Sequence, residues 1–463
     1  MRTPAPETRP VGLTIAGSDS GGGAGIQADL ATMAAHGVFG TSAITAVTAQ
    51  NTRGVESSHV LPLEEIEAQL EAVTDDFDVG AAKTGMLATT DIVRLVADRA
   101  ESFEFPLVVD PVMVATSGDR LLEPEAERAY EDLLGAATLA TPNADEAEVL
   151  TDITVADQES AREAGEAILE TGVDAVLIKG GHVPGEQVRD TLVTNDTVCV
   201  FEHPRIRTEA THGSGCTLAA AIAARLATGD PLEAAVEGAT DFLARAVRYY
   251  SDVGEGHGAV NHLVSLRNEA NRNLTAEEVQ AVVDRFVEHD VSALVPEVGM
   301  NVAGATPAAE SVTEIAAVEG RITRTLSGVQ PNRGVRFGAS SHVARFLLSA
   351  REFFPTLRFA VNCRFGPDVE DALEDLEWGL AGYDRDEEPP EVKETEDNTM
   401  GWGARQAFGD REEPPAAVID RGDIGKEAMT KVVASDPETL ADRVLALEDA
   451  IETDAELEDG VRS

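Results

Sequence analysis

The chain predicts an α/β protein, a mostly parallel sheet flanked by helices and followed by a second, smaller α/β domain. Three observations carry that expectation. Short apolar runs alternate with helical patterns as far as Ile178, polar residues and glycines gather just past the ends of those runs, and a polar stretch near Arg267 gives way to a fresh amphipathic pattern. A length of 463 residues suits two or three domains, and 43% hydrophobic content places the chain among globular proteins.

Val11 to Ala16 reads as a strand that runs into Gly17-Ser18-Asp19-Ser20-Gly21-Gly22-Gly23-Ala24-Gly25, then a helix from Ile26 to His36. Strand, glycine-rich turn and helix together describe a ligand site at the carboxyl end of a parallel strand. Neither the G-x-G-x-x-G spacing with a ribose-binding acid nor G-x-x-x-x-G-K-[ST] is present, so dinucleotide and P-loop readings are weak. Further apolar runs lie at Ser42 to Ala49, Val79 to Ala82, Leu107 to Val109, Thr138 to Thr141 and Ala175 to Ile178. Helical patterns cover Leu63 to Val73, Asp91 to Ala100 and Ala156 to Glu170. Polar groups follow the strands: Gln50-Asn51, Lys83-Thr84-Gly85, Asp110-Pro111, Asn143 with Glu146, and Lys179-Gly180-Gly181. Taken singly, Asp110-Pro111 reads as a turn and Asn143 as a helix cap. Their coincidence at five strand ends points to one crevice, because those ends of an open parallel sheet share a side.

The densest motif is Thr211-His212-Gly213-Ser214-Gly215-Cys216-Thr217, followed by the Ala/Leu-rich run to Leu226. Glycines ahead of a good helix former deliver unpaired N–H groups to a helix N-terminus, where a phosphate is stabilised. Cys216 sits at the same helix start, where the macrodipole favours thiolate and makes the sulfur a proton acceptor.

Composition bounds the partners. Against 84 Asp and Glu there are 36 Lys and Arg, a formal charge of −48, which disfavours nucleic acid. Only five lysines occur, and Lys83 and Lys179 are the two within the first 390 residues, which marks both as functional candidates. Abundant carboxylates with few lysines and aromatics resemble the proteins of salt-in halophiles, haloarchaea among them; such a surface is screened at molar salt, where the Debye length is about 3 Å. Three scattered cysteines, Cys199, Cys216 and Cys363, suggest neither a disulfide framework nor a zinc site and fit a reducing cytoplasm. No signal-peptide or membrane-span pattern is seen, so the expectation is a cytoplasmic protein with no membrane partner; a homo-oligomer is left open.

Arg267 to Asn273 is polar, and residues 267–278 read as a linker ahead of a helix from Leu274 to Glu288, with Val279, Val282, Val283 and Phe286 on one face. Beyond it, Gly338-Ala339-Ser340-Ser341 ahead of a helix from Val343 to Arg351 describes a second anion-binding helix start, with the Ser340 and Ser341 hydroxyls added. Arg321, Arg336, His342 and Lys426 are cations, or potential ones, within glycine-bearing motifs. Asp384-Arg385-Asp386-Glu387-Glu388-Pro389-Pro390 reads as a solvated loop.

Taken together, Ala16 to Ser20 with Gly23 to Asp29, Thr48-Ala49-Gln50-Asn51-Thr52, Lys83 to Leu87, Asp110 to Met113, Thr141 to Glu146, Thr211 to Thr217 and Gly256 to His262 resemble the hydroxymethylpyrimidine and hydroxymethylpyrimidine-phosphate kinases of thiamine biosynthesis, over residues 11–266. The resemblance implies a ribokinase-like fold and ATP and Mg²⁺ as cofactors. By position it implies that Gly17, Asp19 and Gln50 serve the aminopyrimidine, with Gln50 reading its edge. Lys179, Thr211, Gly213, Ser214 and Gly215 would hold ATP phosphates, Asp110, Asn143 and Glu146 would organise Mg²⁺, and Cys216 would be the base. Phosphoryl transfer needs alignment and charge neutralisation above all, and these parts supply both.

The second half, residues 279–463, resembles the archaeal thiamine-phosphate synthase domain often fused behind that kinase. The resemblance implies that Arg321 and His342 serve the coupling of pyrimidine pyrophosphate to thiazole phosphate, so that the partners are small molecules. A related domain senses thiamine phosphate in transcription regulators, which leaves a rival: a pyrimidine or pyridoxal kinase carrying a non-catalytic sensor.

Overall fold

The computed structural model describes residues 2–113, 124–389, 392, 396–423 and 426–461. The chain forms two compact units, Met1–Ser265 and Leu266–Ser463.

The first unit alternates strand and helix: β1 Val11–Ala16, α1 Gly25–Ala35, β2 Phe39–Ile44, β3 Ala46–Asn51, β4 Gly54–Val60, α2 Leu63–Thr74, β5 Val79–Thr84, α3 Thr90–Ala100, β6 Leu107–Val109, α4 Pro124–Gly135, β7 Leu139–Ala140, α5 Ala144–Thr151, α6 Gln158–Leu169, β8 Ala175–Ile178, β9 Gln187–Thr194, β10 Val198–Pro204, α7 Ser214–Ala227 and α8 Leu232–Arg248. Eight strands form one sheet in the order β10-β9-β8-β7-β6-β5-β1-β2, parallel from β2 to β8, with β9 and β10 added antiparallel. The chain places β2 on one side of β1 and β5 on the other, which opens the crevice at the carboxyl end of β1. β1, β6 and β8 are buried almost throughout, as expected for strands covered on both faces. The apolar run from Ser42 to Ala49 breaks at Thr45, whose N–H donates to Ala16 O and whose hydroxyl donates to Met86 O, so that β3 leaves the sheet and pairs with β4 alone.

Helix α7 is buried on nearly every side, from Thr217 to Ala224. Its alanines allow that, since small side chains let the helix approach β5, where a side chain at Gly80 would stand 3.1 Å from Ala227 Cα.

The second unit contains α9 Val264–Ala270, which begins in the first, α10 Arg272–His289, β11 Val302–Ala305, β12 Ile315–Val318, β13 Ile322–Thr325, β14 Gly328–Pro331, β15 Val335–Phe337, α11 His342–Phe353, β16 Phe359–Arg364, α12 Pro367–Asp375, β17 Leu380–Tyr383, α13 Glu396–Phe408, β18 Ala417–Asp420, β19 Met429–Ala434 and α14 Pro437–Val461. Its seven-stranded sheet, β15-β12-β11-β16-β19-β18-β17, is antiparallel except between β17 and β18. One face packs on α10, α12 and α14, the other on α11 and α13. The segment 267–278, expected as a linker, is helical instead: Asn268 is buried, donates to Glu314 and accepts from the Ala308 N–H, so this stretch is part of the second core.

Candidate active site

Three parallel strands deliver polar groups to one place. Asp110 follows β6, Asn143 follows β7 and Lys179 follows β8, with Asn143 and Lys179 joined by a parallel bridge. Lys179 Nζ donates to Asp110 Oδ1 at 2.7 Å and lies 3.7 Å from Glu146 Oε2, while the Thr141 hydroxyl donates to the same Asp110 oxygen at 3.1 Å. Burial pushes the Glu146 carboxyl up to about 7, against the pull of Lys179 and with the help of Asp110. Lys179 moves the other way: burial opposes its charge, but Asp110 and Glu146 hold the ammonium above its ordinary range. Asn143 is the N-cap of α5. Its side chain accepts from the Glu146 N–H at 2.9 Å, and Glu146 Oε2 accepts from the Asn143 N–H at 2.8 Å. Asn143 thereby positions Glu146.

The start of α7 faces this cluster. Gly213, at φ +81°, is the N-cap, and a side chain there would collide with the Gly23 carbonyl, so the two glycine-rich loops touch. A Cβ at Gly215 would stand 3.4 Å from Asp110 Oδ2 and 3.5 Å from Lys179 Nζ. Bare backbone at that position leaves the helix N-terminus open toward the cation. Thr211 is exposed and closes the turn through its carbonyl, which accepts from the Ser214 N–H at 3.1 Å; the Thr217 hydroxyl donates to Gly213 O.

One expectation changes here. Cys216 does not rest as a thiolate: burial pushes its thiol up to about 11, although Lys83 and a hydrogen bond from the Gly25 N–H favour the ionised sulfur. Burial outweighs the helix dipole. Lys83, marked as a functional candidate by its rarity, stands in a buried ion pair. It is sealed in the core, 3.0 Å from both oxygens of Asp29, which also accepts from the Thr14 hydroxyl at 2.6 Å. An isolated ammonium at that depth would be costly, and the pair offsets part of that cost, although burial still pushes the Asp29 carboxyl up.

At the end of β1, Gly17 is bare because a side chain would stand 2.5 Å from the Met86 terminal methyl. Asp19 is only 2% exposed and accepts from the N–H groups of Gly21, Gly23 and Ala24, at 2.8, 3.1 and 2.8 Å. Burial opposes its charge, yet His212 and these amides hold the carboxyl below its ordinary range. Asp19 therefore folds the loop around itself. Gln50 is partly buried, and its amide lies beside His212 and Thr48, at 3.4 and 3.3 Å. His212 received no separate role from the sequence; its ring reaches Asp19 Oδ2 at 3.1 Å.

In the second unit Arg321 occupies a left-handed turn at φ +74°, unusual for a side chain of its size, and its guanidinium donates to the Val298 carbonyl. His342 is the first residue of α11, exposed, with Nδ1 3.1 Å from Ser341 Oγ. Ser341 is the N-cap in αR geometry and makes no side-chain cap, while Ser340 is half-buried. Arg336 pairs with Glu319 at 3.1 Å, and Lys426 is exposed. The acidic stretch from Asp384 is not a solvated loop as far as Pro389. Arg385 and Glu388 are buried, Arg385 grips Asp420 through Nε and Nη2 at 2.8 and 2.7 Å, and Lys431 joins the same carboxylate at 2.9 Å. Pro390 lies outside the described residues.

A parallel sheet with strand-end acids, a lysine and a glycine-capped helix N-terminus defines a phosphotransferase of the ribokinase-like class. The chain belongs to the phosphomethylpyrimidine kinase family, whose model matches residues 19–261, and the model of thiamine-phosphate synthase ThiN matches residues 278–446. The chain is thus a thiamine-biosynthesis protein in which a pyrimidine kinase domain precedes a ThiN domain. Over 256 residues it is 48% identical to the hydroxymethylpyrimidine/phosphomethylpyrimidine kinase of Haemophilus influenzae, covering 54% of this chain and 95% of that one. Over 270 residues it is 44% identical to the thiamine biosynthesis bifunctional protein ThiED of Geobacter sulfurreducens, covering 58% of this chain and 55% of that one. Among solved structures, an ADP complex of Bacillus subtilis pyridoxal kinase superposes with TM-score 0.53 at 36% identity, over 56% of this chain and 98% of that one. Staphylococcus aureus pyridoxal kinase with AMP-PCP and pyridoxal gives 0.51 at 32%, over 56% and 96%.

Proposed function

We propose that the first unit phosphorylates 4-amino-5-hydroxymethyl-2-methylpyrimidine with ATP, first on its hydroxyl and then on the monophosphate. The second unit couples the pyrimidine pyrophosphate to thiazole phosphate, giving thiamine phosphate and pyrophosphate. The observation that carries the kinase reading is the meeting of Lys179, Asp110 and Glu146 at the glycine-capped start of α7. Lys179 and the N–H groups from Gly213 to Cys216 hold the ATP phosphates, with Thr211, Ser214 and Gly215 shaping the approach. Gly17 leaves room for the pyrimidine and Gln50 reads its edge.

Asp110 and Glu146 fit Mg²⁺. They are hard oxygen donors that meet at Lys179, and they would hold the ion beside the ATP phosphates. When bound with ATP it neutralises charge on the phosphoryl oxygens. In the first transfer the substrate hydroxyl oxygen bonds to the γ-phosphorus as the bond to ADP breaks, and its proton passes to Cys216 Sγ. The thiol must ionise beforehand, which the Gly25 N–H and Lys83 favour against burial. In the second unit Arg321 and His342 serve the departure of pyrophosphate, with Ser340 and Ser341 next to His342 in the chain.

The test supplies hydroxymethylpyrimidine, MgATP and thiazole phosphate to the purified protein in high salt. Thiamine phosphate with pyrophosphate release is expected. Pyrimidine pyrophosphate that accumulates uncoupled assigns the second unit to sensing. The likeness to pyridoxal kinases favours one alternative for the first unit, and phosphorylation of pyridoxal but not of the pyrimidine would establish it.

A further inference from the structure

The Gln50 amide sits between two neighbours whose protons can be counted. Asp19 accepts from three backbone N–H groups and offers no proton of its own, so the 3.1 Å contact between its Oδ2 and His212 Nε2 requires the proton on His212. Protonated there, His212 Nε2 has no lone pair to accept from the Gln50 NH2 3.4 Å away, and its hydrogen, shared with Asp19, suits an amide oxygen instead. On the other side the single proton of the Thr48 hydroxyl is committed to Ser18 O at 2.7 Å. At 3.3 Å from the amide, Thr48 Oγ1 can therefore only accept, and it needs an N–H there. The structure sets Gln50 Nε2 toward His212 and Oε1 toward Thr48; both considerations call for the amide turned over, with Oε1 beside His212 and Nε2 beside Thr48.

Building on the reading that Gln50 meets the pyrimidine edge, we infer that His212 and Thr48 are specificity-determining positioning residues that lock the polarity of the Gln50 amide and so select a 4-aminopyrimidine over its 4-oxo counterpart. The locked amide presents an acceptor on the His212 side and a donor on the Thr48 side. A 4-aminopyrimidine edge matches it, with an exocyclic N–H donor next to a ring-nitrogen acceptor. The 4-oxo compound carries a carbonyl acceptor next to a ring N–H, the reverse order, so in the same pose both contacts mispair. An unlocked glutamine would turn over and accept either edge. Thr48 is 6% exposed and the Asp19 side chain 3%, so both ends of the lock are anchored inside the protein.

The experiment compares kcat/KM for first phosphorylation of the 4-amino compound and its 4-oxo analogue in the full chain. The native protein is expected to favour the amino compound by at least about a hundredfold, since a site built for one hydrogen-bond pattern rejects the other strongly. Thr48→Val and His212→Phe should each reduce the ratio to about tenfold or less, chiefly through KM for the analogue, and His212→Gln, which can return an N–H, should recover part of it. Loss of folding support alone would depress both substrates equally and leave the ratio in place, which would overturn the lock. Thr48→Val keeps the test decisive if His212→Phe does not fold, because its unchanged ratio would refute the inference alone. Gln50→Leu separates the two layers. If it leaves both KM values unchanged, Gln50 does not meet the pyrimidine; if it raises them while the Thr48 and His212 variants keep the native ratio, the reading stands and the lock fails.

Discussion

Two loops in this chain carry the same local signature, glycine and small hydroxyl residues running into a helix, and the first of them gathers charge from other strands. Ahead of α7, Gly213 caps with backbone alone, and Lys179, Asp110 and Glu146 arrive from separate strand ends. Ahead of α11, the cap is Ser341 without a side-chain bond, and the neighbouring histidine belongs to the helix itself. A helix N-terminus holds an anion modestly by itself. Strength comes from cations positioned independently, and a parallel sheet provides them because its strand ends share one side.

The largest effect that would break this contrast is at Lys179. Lys179→Ala should reduce both phosphorylation steps by about a hundredfold to a thousandfold, the cost of losing one preorganised charge contact. Steady-state assays of each step check it, with coupling measured on supplied pyrimidine pyrophosphate expected to be unchanged. In the second unit, Arg321→Ala and His342→Ala should each lower coupling by about a hundredfold while both kinase steps stay near native. Parallel loss of kinase activity would remove the distinction between the two units.

A smaller effect concerns Cys216. Cys216→Ala should slow the first transfer at least about tenfold more than the second, because the hydroxyl must lose a proton and the monophosphate oxygen is already ionised. Equal losses would reassign the residue to loop geometry. With its thiol pushed up to about 11, iodoacetamide alkylation of Cys216 in the absence of substrates should rise with pH toward about 11 and level off only there. Smaller still is the cap: Asn143→Ala should cost about 1 kcal/mol of stability, read as a lower melting midpoint. Salt addresses the background that both loops share. The melting midpoint should rise between about 0.1 and 2 M KCl as carboxylate repulsion is screened, and a midpoint indifferent to salt would refute the halophilic reading of the −48 charge.

Much of the first unit was legible because its signals are local. β1, β6 and β8 run between the residues their apolar runs suggest, and α1 and α3 start one residue ahead of the patterns that predict them. The strand-end groups meet because parallel strands bring them to one side, which a list of apolar runs already implies. The break at Thr45 was not legible, since it depends on carbonyls at Ala16 and Met86 in other segments. Nor was the burial of Arg385, because Asp420 and Lys431 meet it only through the pairing of β17, β18 and β19.

By itself, then, the amino-acid order determined which elements form, in what succession, and which chemistry-bearing residue types stand at strand ends and helix starts. Backbone conformation and amphipathic pattern are set within a few residues, and that information is written along the chain. Only the tertiary structure decided the state of those residues: Lys83 is sealed against Asp29, Asp19 is spent on its loop, the Cys216 thiol is held protonated, and Gln50 is caught between His212 and Thr48. Charge and hydrogen-bond polarity depend on desolvation and on partners that come from distant segments, and those distances exist only in the folded molecule.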